Sequence, residues 1–253
     1  MHIIAIVNQK GGVAKTSTAL ALSSGLTGRG KKVLAIDLDP QCNLSYAAGA
    51  DLTKITIKDV LTKMAKGTDA IQTTPQGDII PSDDLLSGAD NYINGTGQEF
   101  RLKEALATIK DNYDYIILDC PPALGVLTVN ALTACSHVII PAQAEVFSMQ
   151  GISQLKNTID AVKSYTNPQL EIAGILLTRH NARSILTRDV ADMITEQANY
   201  MGTKVFETKI REAVVLRESQ INQESLFTYS PKSNVTLDYN TFIDELLGGI
   251  NHE

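Results

Sequence analysis

The chain predicts an α/β fold: a mostly parallel, twisted sheet with helices on both faces. Three observations carry that expectation. Short β-branched runs alternate with helical patterns along the chain. The first run, His2 to Val7, leads at once into a glycine turn and a helix start, and two later runs end in aspartate. With 253 residues, 43% hydrophobic and 20% charged, the chain suits one compact domain with a substantial core, here read as 1–253.

Taken in order, strands are expected at 2–7, 33–37, 78–81, 115–119, 137–141 and 172–177, with 204–208 and 226–229 as two further candidates. Helices are expected near 15–28, 55–65, 99–110, 124–134, 148–164, 184–199 and 237–247. Gly28 and Gly30 suit left-handed caps after the first helix. Residues 66–98, rich in Gly, Asp, Thr and Asn, suit long surface loops.

Composition excludes several classes. No apolar run reaches the ~20 residues of a membrane span. Cys42, Cys120 and Cys135 show no C-x-x-C spacing and no secretory signal precedes them, so a reducing cytoplasm and small buried thiols are expected. The four histidines are scattered without metal spacing.

The chemistry begins at Lys10-Gly11-Gly12-Val13-Ala14-Lys15-Thr16-Ser17. A strand, a glycine turn and a helix start make a phosphate cradle, as in P-loop NTPases. Backbone N–H groups and the positive helix end face the anion, Lys15 reaches the β- and γ-phosphates, and the Thr16 hydroxyl ligates Mg²⁺. ATP and Mg²⁺ are the expected cofactors. The loop departs from G-x-x-x-x-G-K-[ST]: Gln9 and Ala14 replace the first and last glycines, and Lys10 is added at the entry. At Ala14, a left-handed backbone costs ~1–2 kcal/mol and a helical one almost nothing.

This loop resembles the deviant Walker A motif of the ParA/MinD family of ATPases, usually K-G-G-x-G-K-[ST]. Asp37-Leu38-Asp39-Pro40-Gln41-Cys42-Asn43 ends an apolar strand in two carboxylates and matches the D-x-D-P-Q-x-N switch segment of the ParA branch. The resemblance implies that Asp39 orients the attacking water and helps hold the Mg²⁺ shell, with Asp37 supporting the loop. Tyr115 to Asp119 is a buried-strand pattern delivering one carboxylate, Asp119, beside the phosphate loop toward Mg²⁺. Pro121-Pro122 and Gly125 then match the family's second switch. The likeness continues through residues 138–155 and 173–178 and covers essentially the whole chain. It weakens where the family has Ile-Pro-Arg and this chain has Ile210-Arg211-Glu212, which leaves Arg211 near the base or the dimer face.

By resemblance Lys10 is the signature lysine that crosses an ATP-bound homodimer into the partner's phosphates. The implied function is a DNA-partition ATPase, a molecular switch stimulated by a ParB-like adaptor. A basic amphipathic C-terminal helix for membranes is missing, since no Lys or Arg follows Lys232, so no membrane partner is expected. The first strand begins at residue 2 and leaves no room for an N-terminal helix-turn-helix, so sequence-specific operator binding is not expected. Non-specific DNA binding is expected from a locally basic stretch, with Arg183, Arg188, Lys204 and Arg217 as candidates in a chain of net charge −6. The expected location is cytoplasmic and nucleoid-associated. Two alternatives of other kinds are a nucleotide-dependent positioning module with little hydrolysis, or one that moves a non-DNA cargo. A metallocluster P-loop enzyme lacks its cysteine pair.

Overall fold

The computed structural model describes residues 1–145, 148–181 and 185–250. Seven strands form one sheet in the order β3-β4-β2-β5-β1-β6-β7. They are β1 (His2–Ile6), β2 (Val33–Asp37), β3 (Gln72–Thr74), β4 (Gly77–Ile80), β5 (Tyr115–Asp119), β6 (His137–Ala142) and β7 (Glu171–Leu177). All neighbours run parallel except the edge pair β3 and β4.

Alternation along the strands sends side chains to two separate cores. Ile3, Ala5 and Val7 pack on one face with α3 (Ile57–Leu61), α5 (Arg101–Leu106), α6 (Val126–Ala134), α7 (Ser148–Tyr165) and α8 (Ile185–Tyr200). Ile4 and Ile6 pack on the other with α1 (Lys15–Gly28), α2 (Asn43–Ala48), α10 (Leu226–Tyr229) and α11 (Asn234–Ile250). Both faces of the inner strands are therefore buried, which is why they read as unbroken apolar runs. In α11, Val235, Tyr239, Phe242, Ile243, Leu246 and Ile250 recur at helical spacing as its buried seam. The remaining α-helices among the described residues are the short α4 (Ala89–Tyr92) and α9 (Val214–Ile221).

Five expectations need correction. Residues 204–208 meet β7 only through the Ile175–Val205 bridge, because the N–H groups of Glu207 and Thr208 donate to the Glu245 carboxylate instead of a strand. Residues 226–229 are helical: the Ser225 hydroxyl accepts from the Phe227 N–H and caps a turn that buries Leu226. Gly28 closes α1, whereas Gly30 takes the left-handed φ of 75°. Cys120 and Cys135 are buried as expected, but Cys42 is half-buried and left-handed at φ 54°. Within 66–98 the β3–β4 hairpin and α4 replace part of the expected loop.

The carboxyl ends of β1, β2 and β5 meet where the connections diverge to opposite sides of β1. Asp119 stands in register with Ile6 on one side and Asp37 on the other. Open α/β sheets bind ligands in such a crevice.

Candidate nucleotide site

The segment between β1 and α1 bends around an open cavity of about 650 Å³ lined by Gly11, Gly12, Ala14, Lys15, Thr16, Ser17 and Asp39. Its backbone is left-handed at Gly12, φ 75°, and again at Ala14, φ 64°. Glycine accepts that conformation freely; at Ala14 it costs roughly 1–2 kcal/mol. Of the two outcomes left open at Ala14, the structure realises the strained one.

Side-chain donors hold the carbonyls of Lys10, Gly12 and Val13. The Lys15 ammonium donates to the Lys10 carbonyl at 3.1 Å, Gln143 Nε2 to Gly12 O at 2.9 Å, and Thr178 Oγ1 to Val13 O at 3.1 Å. Buried Asn8 accepts from the Lys10 N–H while its amide donates to Pro141 O, which ties the loop's entry to β6.

Three carboxylates approach the loop from the neighbouring strands. Asp37 is fully buried and accepts from the Ser45 N–H at 2.8 Å, the Ser45 hydroxyl at 2.7 Å and the Asp39 N–H at 3.0 Å. Burial raises its pKa and those hydrogen bonds oppose the rise. Ser82 completes the frame: its N–H donates to Ser45 Oγ and its hydroxyl to Asp39 O. Asp39 lines the cavity, where its carboxylate accepts from the Gln41 N–H at 3.0 Å. Asp37 is thus committed to the segment that follows β2, which leaves Asp39 lining the cavity.

Asp119 differs from both. It is fully buried, and neither of its carboxylate oxygens has a hydrogen-bond partner. Burial, then the charge on Asp37, push its pKa well up, while the nearby Thr16 hydroxyl and Lys15 pull the other way. Two unpartnered buried oxygens beside Thr16 and Lys15 are a cation-ready arrangement, because an orphaned buried carboxylate is otherwise costly. Burial likewise lowers the pKa of Lys15, and Asp119 and Asp39 restore part of its charge preference.

Lys10 projects from the loop entry and pairs with the Glu145 carboxylate of its own chain. The far wall of the cavity is built by Ile210, Ala213, Leu216, Gln220 and Tyr239. Arg211 lines it too, with its guanidinium bidentate on Asp238 at 2.7 and 2.8 Å. Gln220 reaches the Ser17 hydroxyl at 2.9 Å and so ties α9 to the first turn of α1.

Of the basic candidates, the two whose side chains are described do not share a patch. Arg217 stands at the cavity wall near Glu212. Lys204 lies at the opposite, amino end of the strands, its ammonium 5.6 Å from the centre of the Phe206 ring. Arg183 lies outside the described residues, and of Arg188 the backbone in α8 alone is described. Sequence reading gave no role to Gln143, Glu145, Thr178 or Ser45. Their signal is faint, since ordinary polar residues at strand ends acquire meaning only once the sheet order places them beside the loop.

A glycine cradle on a helix start, a lysine beneath it and an orphaned acid on the adjacent strand define a phosphate-loop nucleotide site. A family model described as an AAA domain matches residues 1–172. The chain is 42% identical over 236 residues to the sporulation initiation inhibitor protein Soj of Bacillus subtilis, covering 91% of this chain and 92% of that protein. It is 40% identical over 239 residues to the chromosome partitioning protein ParA of Caulobacter vibrioides, covering 92% and 88%. Among solved structures, cobyrinic acid a,c-diamide synthase from Mycobacterium smegmatis with bound ATP analog and magnesium matches with a TM-score of 0.85 at 34% identity, covering 98% of this chain and 94% of that one. The chain belongs to the ParA/Soj family of partition ATPases.

Proposed function

We propose that this partition ATPase works as a nucleotide-gated dimer that binds duplex DNA without sequence preference in its ATP state. A ParB-like adaptor stimulates hydrolysis and releases it, and it acts in the cytoplasm on the nucleoid. The observation that carries the nucleotide half of this reading is Asp119, whose two buried oxygens lack partners directly beside Lys15 and Thr16. An oxygen donor set of that kind fits Mg²⁺. Thr16 and Asp119, with Asp39, would hold the ion; once bound, it neutralises charge on the β- and γ-phosphates.

The chain's own groups divide the remaining work. Residues 10–17 cradle the phosphates through backbone N–H groups, with Lys15 as the charge beneath them. Asp39 orients the attacking water, and Arg211 sits on the wall that receives the base. Lys10 is held by Glu145, whose side chain is 55% exposed, so the pair exchanges partners at small cost. In the dimer Lys10 then reaches the other protomer's phosphates and stabilises developing charge.

DNA binding rests on Arg217 and Arg188, doubled by two-fold symmetry. Membrane binding is disfavoured. No helix among the described residues is long and apolar enough to cross a bilayer, and α11 carries Asp238, Asp244 and Glu245 with no Lys or Arg. The test is fluorescence anisotropy on two unrelated duplexes at two salt concentrations with ATP, ADP or no nucleotide. Binding should need ATP, ignore sequence and fall steeply with salt. Equal affinity in all three states contradicts the switch.

A further inference from the structure

We propose that Thr178 and Gln143 are positioning residues that hold the phosphate loop ready for nucleotide, and that this chain depends on them because Ala14 stands at a left-handed position. The orientation of the Val13–Ala14 peptide is set by ψ of Val13 and φ of Ala14, so fixing its carbonyl fixes the strained torsion itself. That carbonyl lies 3.1 Å from the Thr178 hydroxyl, whose single proton it shares with the Ala142 carbonyl at 3.3 Å. The preceding plane is fixed in the same way, since Gly12 O accepts from Gln143 Nε2 at 2.9 Å. Because each peptide is trans, holding these carbonyls on their donors turns the N–H groups of Val13 and Ala14 the other way.

Both donors stand on rigid ground. Gln143 directly follows β6 and Thr178 directly follows β7, with side chains 8% and 1% exposed. Gln143 is anchored further by its own carbonyl, which accepts from Ser148 at the start of α7. Arg179 adds a longer contact of 3.4 Å to Gly12 O. The strap therefore comes from two strand ends on the β6 side, remote from the Asp37, Asp39 and Asp119 carboxylates on the other.

An L-residue disfavours the left-handed region by a factor of roughly 5 to 30. Without the strap the free loop relaxes away from the φ of 64° at Ala14, and apparent affinity falls by the fraction of molecules left competent. Glycine at the same position has no such preference, so the strap should matter little there.

The experiment is a double-mutant cycle between Thr178→Val and Ala14→Gly, read by calorimetric titration with Mg²⁺-ADP, which requires neither dimer nor hydrolysis. Val keeps the volume of Thr and removes the donor. Thr178→Val should lose roughly tenfold in affinity with Ala14 present and less than about threefold in the Ala14→Gly background, while Thr178→Ser stays near the parent. Gln143→Leu, run through the same cycle, replaces Thr178→Val should the latter fail to fold. Equal losses in both backgrounds would mean that the hydroxyl serves the nucleotide or the fold directly, and would overturn the proposal. So would an unchanged affinity with Ala14 present. A parent that does not bind Mg²⁺-ADP would instead overturn the nucleotide site itself.

Discussion

Asp119→Asn should make the nucleotide-free protein more stable while removing its response to Mg²⁺-ATP. The side chain is fully buried, neither oxygen has a hydrogen-bond partner, and Asp37 stands in register on the next strand. Burial and that neighbouring charge both disfavour the carboxylate, and Lys15 offsets them only in part. An unsatisfied buried polar group costs about 1–3 kcal/mol, and a charged one more. Asparagine keeps the shape and drops the charge while leaving a neutral amide unsatisfied, so the net gain is about 1 kcal/mol. For a chain of this size that raises Tm by roughly 2–4 °C. The parent gains about 2.7 kcal/mol from a ligand at a hundred times its Kd, which moves Tm by several degrees more, and the variant should lose most of that shift. Differential scanning calorimetry of both proteins, with and without Mg²⁺-ATP, reads both effects. A variant less stable than the parent without nucleotide would refute the idea of an uncompensated cation site, and so would an undiminished Mg²⁺-ATP shift.

The two loop lysines should fail differently. Lys15→Ala removes the buried charge beneath the phosphates and should abolish measurable nucleotide binding, whereas Lys10→Ala should still bind Mg²⁺-ADP but turn over at least tenfold more slowly, as checked by titration and phosphate release. Asp39→Ala should bind Mg²⁺-ATP yet lose about 10²-fold or more in turnover, because the water-orienting carboxylate is gone while the cradle survives. Unimpaired turnover in that variant would remove Asp39 from the role.

Much of this architecture is legible from local sequence because the inner strands are buried on both faces. Tyr115 to Asp119 can hardly be anything but a central strand, and its terminal acid falls beside the loop once β5 inserts between β1 and β2. The edge was harder to read. Gln72 to Thr74 is polar and half-exposed, so β3 carries no apolar signal. Leu226 to Tyr229 has the composition of a strand, and a single serine cap decides otherwise. Residues 204–208 run beside β7 but give two of their N–H groups to Glu245, a partner about 40 positions away that no local pattern reveals. At the site, the roles expected of Lys15, Thr16 and Asp119 follow from spacing. Those of Gln143, Thr178 and Glu145 follow from sheet order, which brings the ends of β6 and β7 against the loop. Charge counted along a sequence says nothing about which end of the strands it reaches: Lys204 lies at the amino end and Arg217 at the carboxyl end.

The claim at the centre of this account is that ATP converts one chain into a two-chain switch through Lys10. Multi-angle light scattering behind size exclusion tests it directly, on the parent and on Lys10→Ala, each with Mg²⁺-AMPPNP, with Mg²⁺-ADP and without nucleotide. The parent should be a dimer with Mg²⁺-AMPPNP alone and Lys10→Ala a monomer in every state. A parent whose mass is the same in all three states, or a Lys10→Ala variant that dimerises like the parent, would contradict it.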